Sequence, residues 1–205
     1  MARRTRQEAE QTRQDILRAA FDIFSRKGFM RTTLSNVASA AGVTRGAIYW
    51  HFKDKLDLFL ALAEEIEAAA AVRPDDLEKL LVQSLDDLKR EVLNFLAHFE
   101  KNDRYAIFYE MVNHNTEYTE ELEPVRTRQR EVQREFLRTV EEVFGQLRSR
   151  GAVRTDLDPS HAALSLIAFV VGLIDIWLSD RQSFCITEVA SVLMDDFFRG
   201  MRGTD

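Results

Sequence analysis

Apolar positions recur along this chain at steps of three and four, the spacing that lines one face of a helix. Leu17, Ala20, Phe21 and Phe24 predict a first helix that stops at Gly28, with Arg26 and Lys27 in its last turn. A second helix is expected over 34–41, capped by Thr32 or Thr33, and Gly42 then turns the chain into a short third helix that Thr44 caps and that ends near Phe52. A fourth opens at Asp54 or Lys55, carries Leu58, Phe59, Leu62 and Ile66 on one face, and runs to Pro74. A long helix over about 75–100 follows (Leu77, Leu81, Leu85, Leu88, Val92, Phe95, Phe99), then a shorter one over 102–114. Another starts at Pro124, shows Val132, Phe136, Val140, Val143, Phe144 and Leu147, and has Gly151 just past its end. Pro159, behind Asp158, suits the first position of the next. Ile186, Val189, Ala190, Leu193 and Phe197 mark the last. The pattern is an all-α protein of about nine helices, with no internal repeat and no strand alternation. It divides into an N-terminal head, 1–56, and a body, 57–205, that begins with a connector helix over 57–73.

Composition supports this reading. Hydrophobic residues make up 45% of the 205-residue chain, enough for a sizeable core, and 3 prolines and 8 glycines leave long stretches free to be helical. The net charge of -6 conceals an asymmetry: residues 1–60 carry 11 Lys+Arg against 6 Asp+Glu, and the remaining 17 against 28 make the rest acidic. A basic head is drawn to phosphates, and an acidic body is repelled by them.

The chemistry concentrates in TTLSNVASAAGVTRGAIYWHFKDK, residues 32–55. Val37, Ala38, Ala41, Val43, Ile48 and Phe52 form an apolar seam between two short helices, and Gly42 supplies the tight turn. With Ile48 and Phe52 turned inward, Arg45 and Tyr49 share an outer face, four residues apart. Thr44 stands at the helix start, where recognition helices meet base edges. Arg45 has the fork that pairs with guanine O6 and N7, while Tyr49 and Trp50 offer apolar contact to thymine methyls or hydrogen bonds to phosphate. Thr33 and Lys55 lie at helix starts that favour anions, His51 is a further phosphate candidate, and Arg3, Arg4 and Arg6 form a basic N-terminal arm.

Residues 13–59, through ILRAAFDIFSRKGF, TTLSNVASAAGVTRGAIYWHFKDK and Leu56–Phe59, resemble the N-terminal domain of the TetR family of transcriptional regulators, in form nearest the AcrR type that represses multidrug efflux pump genes. The resemblance implies an all-helical homodimer on palindromic double-stranded operator DNA. It also implies base or phosphate contacts from Thr33, Thr44, Arg45, Gly46, Tyr49, Trp50, His51 and Lys55. In that family the last two helices pair with those of a second copy.

Two tasks are expected of the body. The stretch 162–178 is apolar almost all round, which demands burial on several sides and fits dimerisation through the last two helices. The aromatics Phe95, Phe99 and Trp177, with Glu67, Glu110, Asn113, His114 and Asp175 among them, are candidates to receive a small-molecule effector. Asp175, between Ile174 and Ile176, must be paired, face a cavity or face solvent; a cationic lipophilic ligand and an ion pair across the dimer both satisfy it.

The remaining signals are exclusions. One cysteine, Cys185, rules out an internal disulfide and a cysteine zinc site, and its apolar neighbours suggest a buried thiol. The four histidines fall on separate predicted elements, so no metal site and no cofactor is expected. No apolar segment follows the N-terminus as in a signal peptide, and 162–178 is shorter than a membrane span and interrupted by Ser165, Gly172 and Asp175. That points to a soluble cytoplasmic protein. No GxSxG, HExxH, P-loop or dinucleotide fingerprint is present, and the adjacent acid pairs diverge by about 100° on a helix, so no enzyme is expected. The leading expectation is a ligand-responsive repressor of a multidrug efflux or stress operon. The alternative is an effector-independent architectural or scaffold dimer on DNA.

Overall fold

The computed structural model describes residues 6–68, 82–113 and 120–203. Nine α-helices and no strand occur among these residues. They are α1 (Arg6–Lys27), α2 (Leu34–Ala40), α3 (Arg45–His51), α4 (Lys55–Ala68), α5 (Leu85–Lys101), α6 (Asp103–Asn113), α7 (Glu123–Ser149), α8 (Pro159–Ser179) and α9 (Ile186–Arg199). A single 3₁₀ turn, Glu120–Leu122, leads into α7. The all-α class and the helix order follow the periodicity closely.

Backbone contacts divide the chain into two units, residues 1–69 with 107–126, and residues 70–106 with 127–205. α4 shares the first unit with α1, α2 and α3. The reason is aromatic. Phe59 of α4 lies edge-on to Phe24 of α1 and to Phe29, at 5.4 and 5.2 Å, and 5.9 Å from Phe108. Ile16 and Leu17 of α1 and Leu58 and Leu62 of α4 are fully buried. Gly28 has φ +76°, a left-handed turn that ends α1 where its glycine predicts.

In the second unit, Val140, Phe144 and Leu147 of α7 meet Ala163 and Leu166 of α8, Met194 and Phe198 of α9, and Leu85 and Leu88 of α5 in one core. Polar ties close its rim. Lys89 reaches Asp195 at 2.6 Å, Arg202 reaches Asp86 at 2.8 Å, and the Thr187 hydroxyl donates to Glu100 at 2.9 Å.

Several expectations change. The long helix over 75–100 does not form as one piece: Val82 and Gln83 are non-helical, Ser84 is extended, and α5 starts at Leu85. Ser84 accepts from the Asp87 N–H while the Asp87 carboxylate accepts from the Ser84 N–H, a reciprocal cap that the periodic leucines masked. Hydrogen bonds from Ser84, from the Gln83 backbone and from Arg90 hold the Asp87 carboxyl below the usual carboxylate range. Its contribution is therefore present above the ordinary value and lost as pH falls through the lowered one. Ser84→Ala is expected to cost about 1 kcal/mol of stability by denaturant unfolding. An unchanged midpoint would show that the cap is idle.

Leu77, Leu81 and the end of the connector towards Pro74 lie outside the described residues, as do Arg3 and Arg4. Arg6 is not part of a loose arm; it is the first residue of α1. Val132, expected on the core face of α7, is 41% exposed, because the helix from Glu131 to Glu135 stands clear of the core on every side. Cys185 is half-buried at the cap of α9, with its sulfur 3.1 Å from the Thr187 hydroxyl, rather than sunk among apolar side chains. α8 spans 21 residues, since Asp158 caps it at Pro159, and by length and composition it is the one described helix that could cross a membrane. Its Ala162, Ala163 and Leu166 are buried in the core of the second unit, and Leu173, Ile174 and Trp177 are buried as well.

Candidate functional site

The short helix α3 owes its attitude to four devices. The α2 end is closed by Ala41 N–H on Val37 O at 2.9 Å and by Val43 N–H on Ala38 O at 3.0 Å. Gly42 between them has φ +66°, which a side chain would oppose. Thr44 is extended, and its hydroxyl accepts from the Ala47 N–H at 3.2 Å, so α3 begins at Arg45. Ile48 and Phe52, 0% and 3% exposed, then fasten the helix to the head. Val37 and Ala38 are buried beneath, as the seam requires.

That anchoring leaves the rest of α3 outward. Thr44, Arg45, Gly46, Tyr49 and Trp50 are exposed, Trp50 by 72%, and His51 is half-buried with its ring edge-on to Trp50 at 4.5 Å. An indole so exposed contributes nothing to this chain's own core. Nothing in the fold requires a glycine at 46 either: a Cβ there would meet only Thr44 Oγ1, at 3.8 Å. Arg45 Nη2 donates to the Tyr49 hydroxyl at 3.1 Å, and the guanidinium lies 5.5 Å from the Tyr49 ring centre.

The two helix-start residues are more engaged. Thr33 caps α2, accepting from the Asn36 N–H at 3.2 Å, and its hydroxyl donates to Asn36 Oδ1 at 2.9 Å. Lys55 sits with its ammonium 4.1 Å from the Phe29 ring centre and 3.4 Å from the Glu121 carboxylate. Sequence reading missed Glu121 as the partner of Lys55; it saw only an adjacent acid pair. It also missed Asn36, although Thr-x-x-Asn ahead of an apolar helix is a capping signal.

The expected effector residues divide between the units. Glu67, Glu110 and Asn113 belong to the first; Glu67 and Glu110 are half-buried, and Asn113 is exposed, its amide returned to Tyr109 O at 2.9 Å. His114 lies outside the described residues. In the second unit Phe95 and Phe99 do come together, edge-on at 5.3 Å, with Tyr105 4.8 Å beyond Phe99. Asp175 is half-buried. Trp177 is 3% exposed, the Arg181 guanidinium lies 5.2 Å from its ring centre, and its buried indole N–H has no acceptor among the described residues. A separate open depression of about 180 Å³ lies between α7 and α8, lined by Arg130, Gln133, Arg134, Leu137, Leu164 and Ile167, none of them an expected effector residue.

Residues 16–62 match the bacterial regulatory proteins of the tetR family, and residues 83–202 match the C-terminal region of MAATS-type transcriptional repressors. The chain belongs to the TetR family. This TetR-family protein is 35% identical over 191 residues to the HTH-type transcriptional regulator AcrR of Shigella flexneri, covering 93% of this chain and 89% of that one. Its fold superposes on NalD, the secondary repressor of the MexAB-OprM multidrug efflux pump in Pseudomonas aeruginosa, with a TM-score of 0.82, 30% identity, and coverage of 95% and 97%. It superposes also on SmeT in complex with triclosan, SmeT being the repressor of the Stenotrophomonas maltophilia multidrug efflux pump SmeDEF, with a TM-score of 0.79, 25% identity, and coverage of 92% and 90%. The TetR relatives are regulators of transcription, so the helix-turn-helix of the head is a DNA-binding element at the level of the family.

Proposed function

We propose that this TetR-family protein is a ligand-responsive homodimeric repressor that binds a palindromic operator and controls a multidrug efflux or stress operon. A lipophilic small molecule, cationic ones included, releases it. The carrying observation is the outer face of α3, where Thr44, Arg45, Gly46, Tyr49 and Trp50 stand in solvent on a helix pinned from behind by Ile48 and Phe52. Arg45 takes a guanine edge. The bare backbone at Gly46 admits close approach of the duplex, and Tyr49, Trp50, His51 and Thr33 contact thymine methyls or phosphates. The relation to efflux repressors supports the choice of operon, and a relative held with triclosan supports a small-molecule effector.

The head, 1–56, reads DNA, and the body, 57–205, dimerises and binds the effector. Leu164, Val171 and Ile176 of α8 and Val192 of α9 are large apolar side chains exposed on the single chain, which suits a second copy laid across the last two helices. That copy sets two recognition helices about 34–36 Å apart, one DNA turn. Glu67, Phe95, Phe99, Glu110, Asn113, His114, Asp175 and Trp177 are the effector candidates, with the Trp177 N–H, which has no acceptor among the described residues, calling for a hydrogen-bond acceptor on the ligand. No catalysis enters this role, and its place is the cytoplasm, where the operator is.

Selection from sheared genomic DNA tests the reading. Fragments retained by the protein should share one palindromic motif, near its own gene and near a transporter operon, and cationic lipophilic dyes should elute them. Retention without a shared motif, unaffected by any dye, would favour an architectural dimer instead.

Lys55 meets phosphate only by leaving Glu121. Glu121→Gln is therefore expected to tighten binding to any duplex several-fold and to steepen its salt dependence by about one counterion. Unchanged affinity and slope would exclude Lys55 from the contact.

A further inference from the structure

The contacts of the Arg45 guanidinium among the described residues are both with Tyr49, a hydrogen bond from Nη2 to the hydroxyl at 3.1 Å and the ring face at 5.5 Å. Three other exposed arginines are held by acids: Arg90 by Asp87 at 2.9 Å, Arg154 by Asp156 at 2.9 Å, Arg202 by Asp86 at 2.8 Å. The difference matters on a surface turned toward DNA. A carboxylate would orient the guanidinium but cancel its charge and repel phosphates. A phenol orients it and leaves the charge intact.

We propose that Tyr49 is a positioning residue for sequence readout, fixing Arg45 so that its free donors meet one base pair. The inference rests on the DNA-reading proposal above. Arg45 is the first residue of α3 and Tyr49 lies one turn on, so the two stack on the same face. A guanidinium has five N–H donors; Tyr49 takes one, and guanine O6 and N7 need two. A long side chain left loose would lose its freedom on meeting the base, and one already laid against a ring has less to lose. The hydroxyl that accepts from Arg45 keeps its own hydrogen. Polarised by the cation, it becomes a better donor toward a phosphate oxygen. Tyr49 then ties the reading arginine to the DNA backbone and sets its register.

The test is selection from a duplex library with randomised half-sites, using the full-length wild type, Y49F, R45A and the double variant. Y49F keeps the ring and removes only the hydroxyl of a residue that is 48% exposed, so the fold is not at risk. The expected result is a fall in base preference of about 3- to 10-fold at a single base pair of each half-site, the scale of one hydrogen bond, with other positions unchanged. R45A should flatten the same position, and adding Y49F to R45A should change that position no further. A Y49F variant that binds every sequence more weakly by one common factor, with preferences intact, would make Tyr49 a phosphate contact only and overturn the proposal. So would loss of preference at a position that R45A leaves alone, or no change at all. A wild type without base preference would overturn the DNA-reading proposal itself and this inference with it.

Discussion

Replacing Ile176 and Val192 together by glutamate is expected to leave the chain monomeric at micromolar concentration and to weaken operator binding by a factor of 10² or more. Both side chains are largely solvent-exposed in the single chain, at 62% and 65%, so the substitutions cost the protomer little. In a dimer they would bury four carboxylates in an apolar contact, which costs several kcal/mol unless each is paired. Operator affinity should fall with the dimer because a palindrome is held by two heads, and linking two binding events raises avidity by 10² to 10⁴. Sedimentation and circular dichroism on the same sample separate the effects. A helical monomer with weak DNA binding is the expected pair of results. A variant that stays dimeric would place the interface elsewhere and leave this apolar surface without its assigned purpose.

The second large effect is on stability. Phe59→Ala should destabilise the protein by about 3–5 kcal/mol, the range for removing a buried phenylalanine ring. Phe59 is 1% exposed and lies within 6 Å of the rings of Phe24, Phe29 and Phe108, so no neighbour can collapse into the space without breaking another ring contact. Against a total of about 5–15 kcal/mol this is a large share, and it corresponds to a melting point lower by roughly 6–20 °C. Trp50→Ala is the matching control. That indole is larger but 72% exposed, and its removal should shift stability by no more than about 0.5 kcal/mol while altering DNA binding. A Trp50→Ala protein that unfolds as early as Phe59→Ala would mean that α3 is not presented as described.

The helices were legible wherever an apolar stripe and an end signal coincided. Gly28, Gly42, Thr44 and Asp158 stop or start helices where their chemistry requires it, and Ile48 with Phe52 settles which way α3 faces. The outward face of α3 was legible for the same reason: with Ile48 buried in the helix and Phe52 buried at its end, Arg45, Gly46, Tyr49 and Trp50 are left exposed. What escaped lay in contacts between distant residues. The pairing of Lys55 with Glu121 has no signature in either segment, and neither has the approach of Phe59 to Phe108, far along the chain. The leucine spacing of 77–88 imitates one continuous helix, and only the Ser84–Asp87 cap reveals a start at Leu85. The proposed effector residues carry the weakest sequence signal, because aromatic rings at helical spacing look alike whether they fill a core or line a cavity. Phe95 and Phe99 illustrate this: they meet each other edge-on, as core rings do.

The central claim is that the exposed face of α3 reads a specific sequence as part of a dimer. Fluorescence anisotropy with the duplex from upstream of the protein's own gene, beside a scrambled duplex of equal length and across a salt series, tests it most directly. The account predicts binding at least 10³-fold tighter to the native duplex at moderate salt, with an even number of chains bound per site. Equal affinity for the two duplexes, or no binding at low salt where counterion release is most favourable, would contradict it.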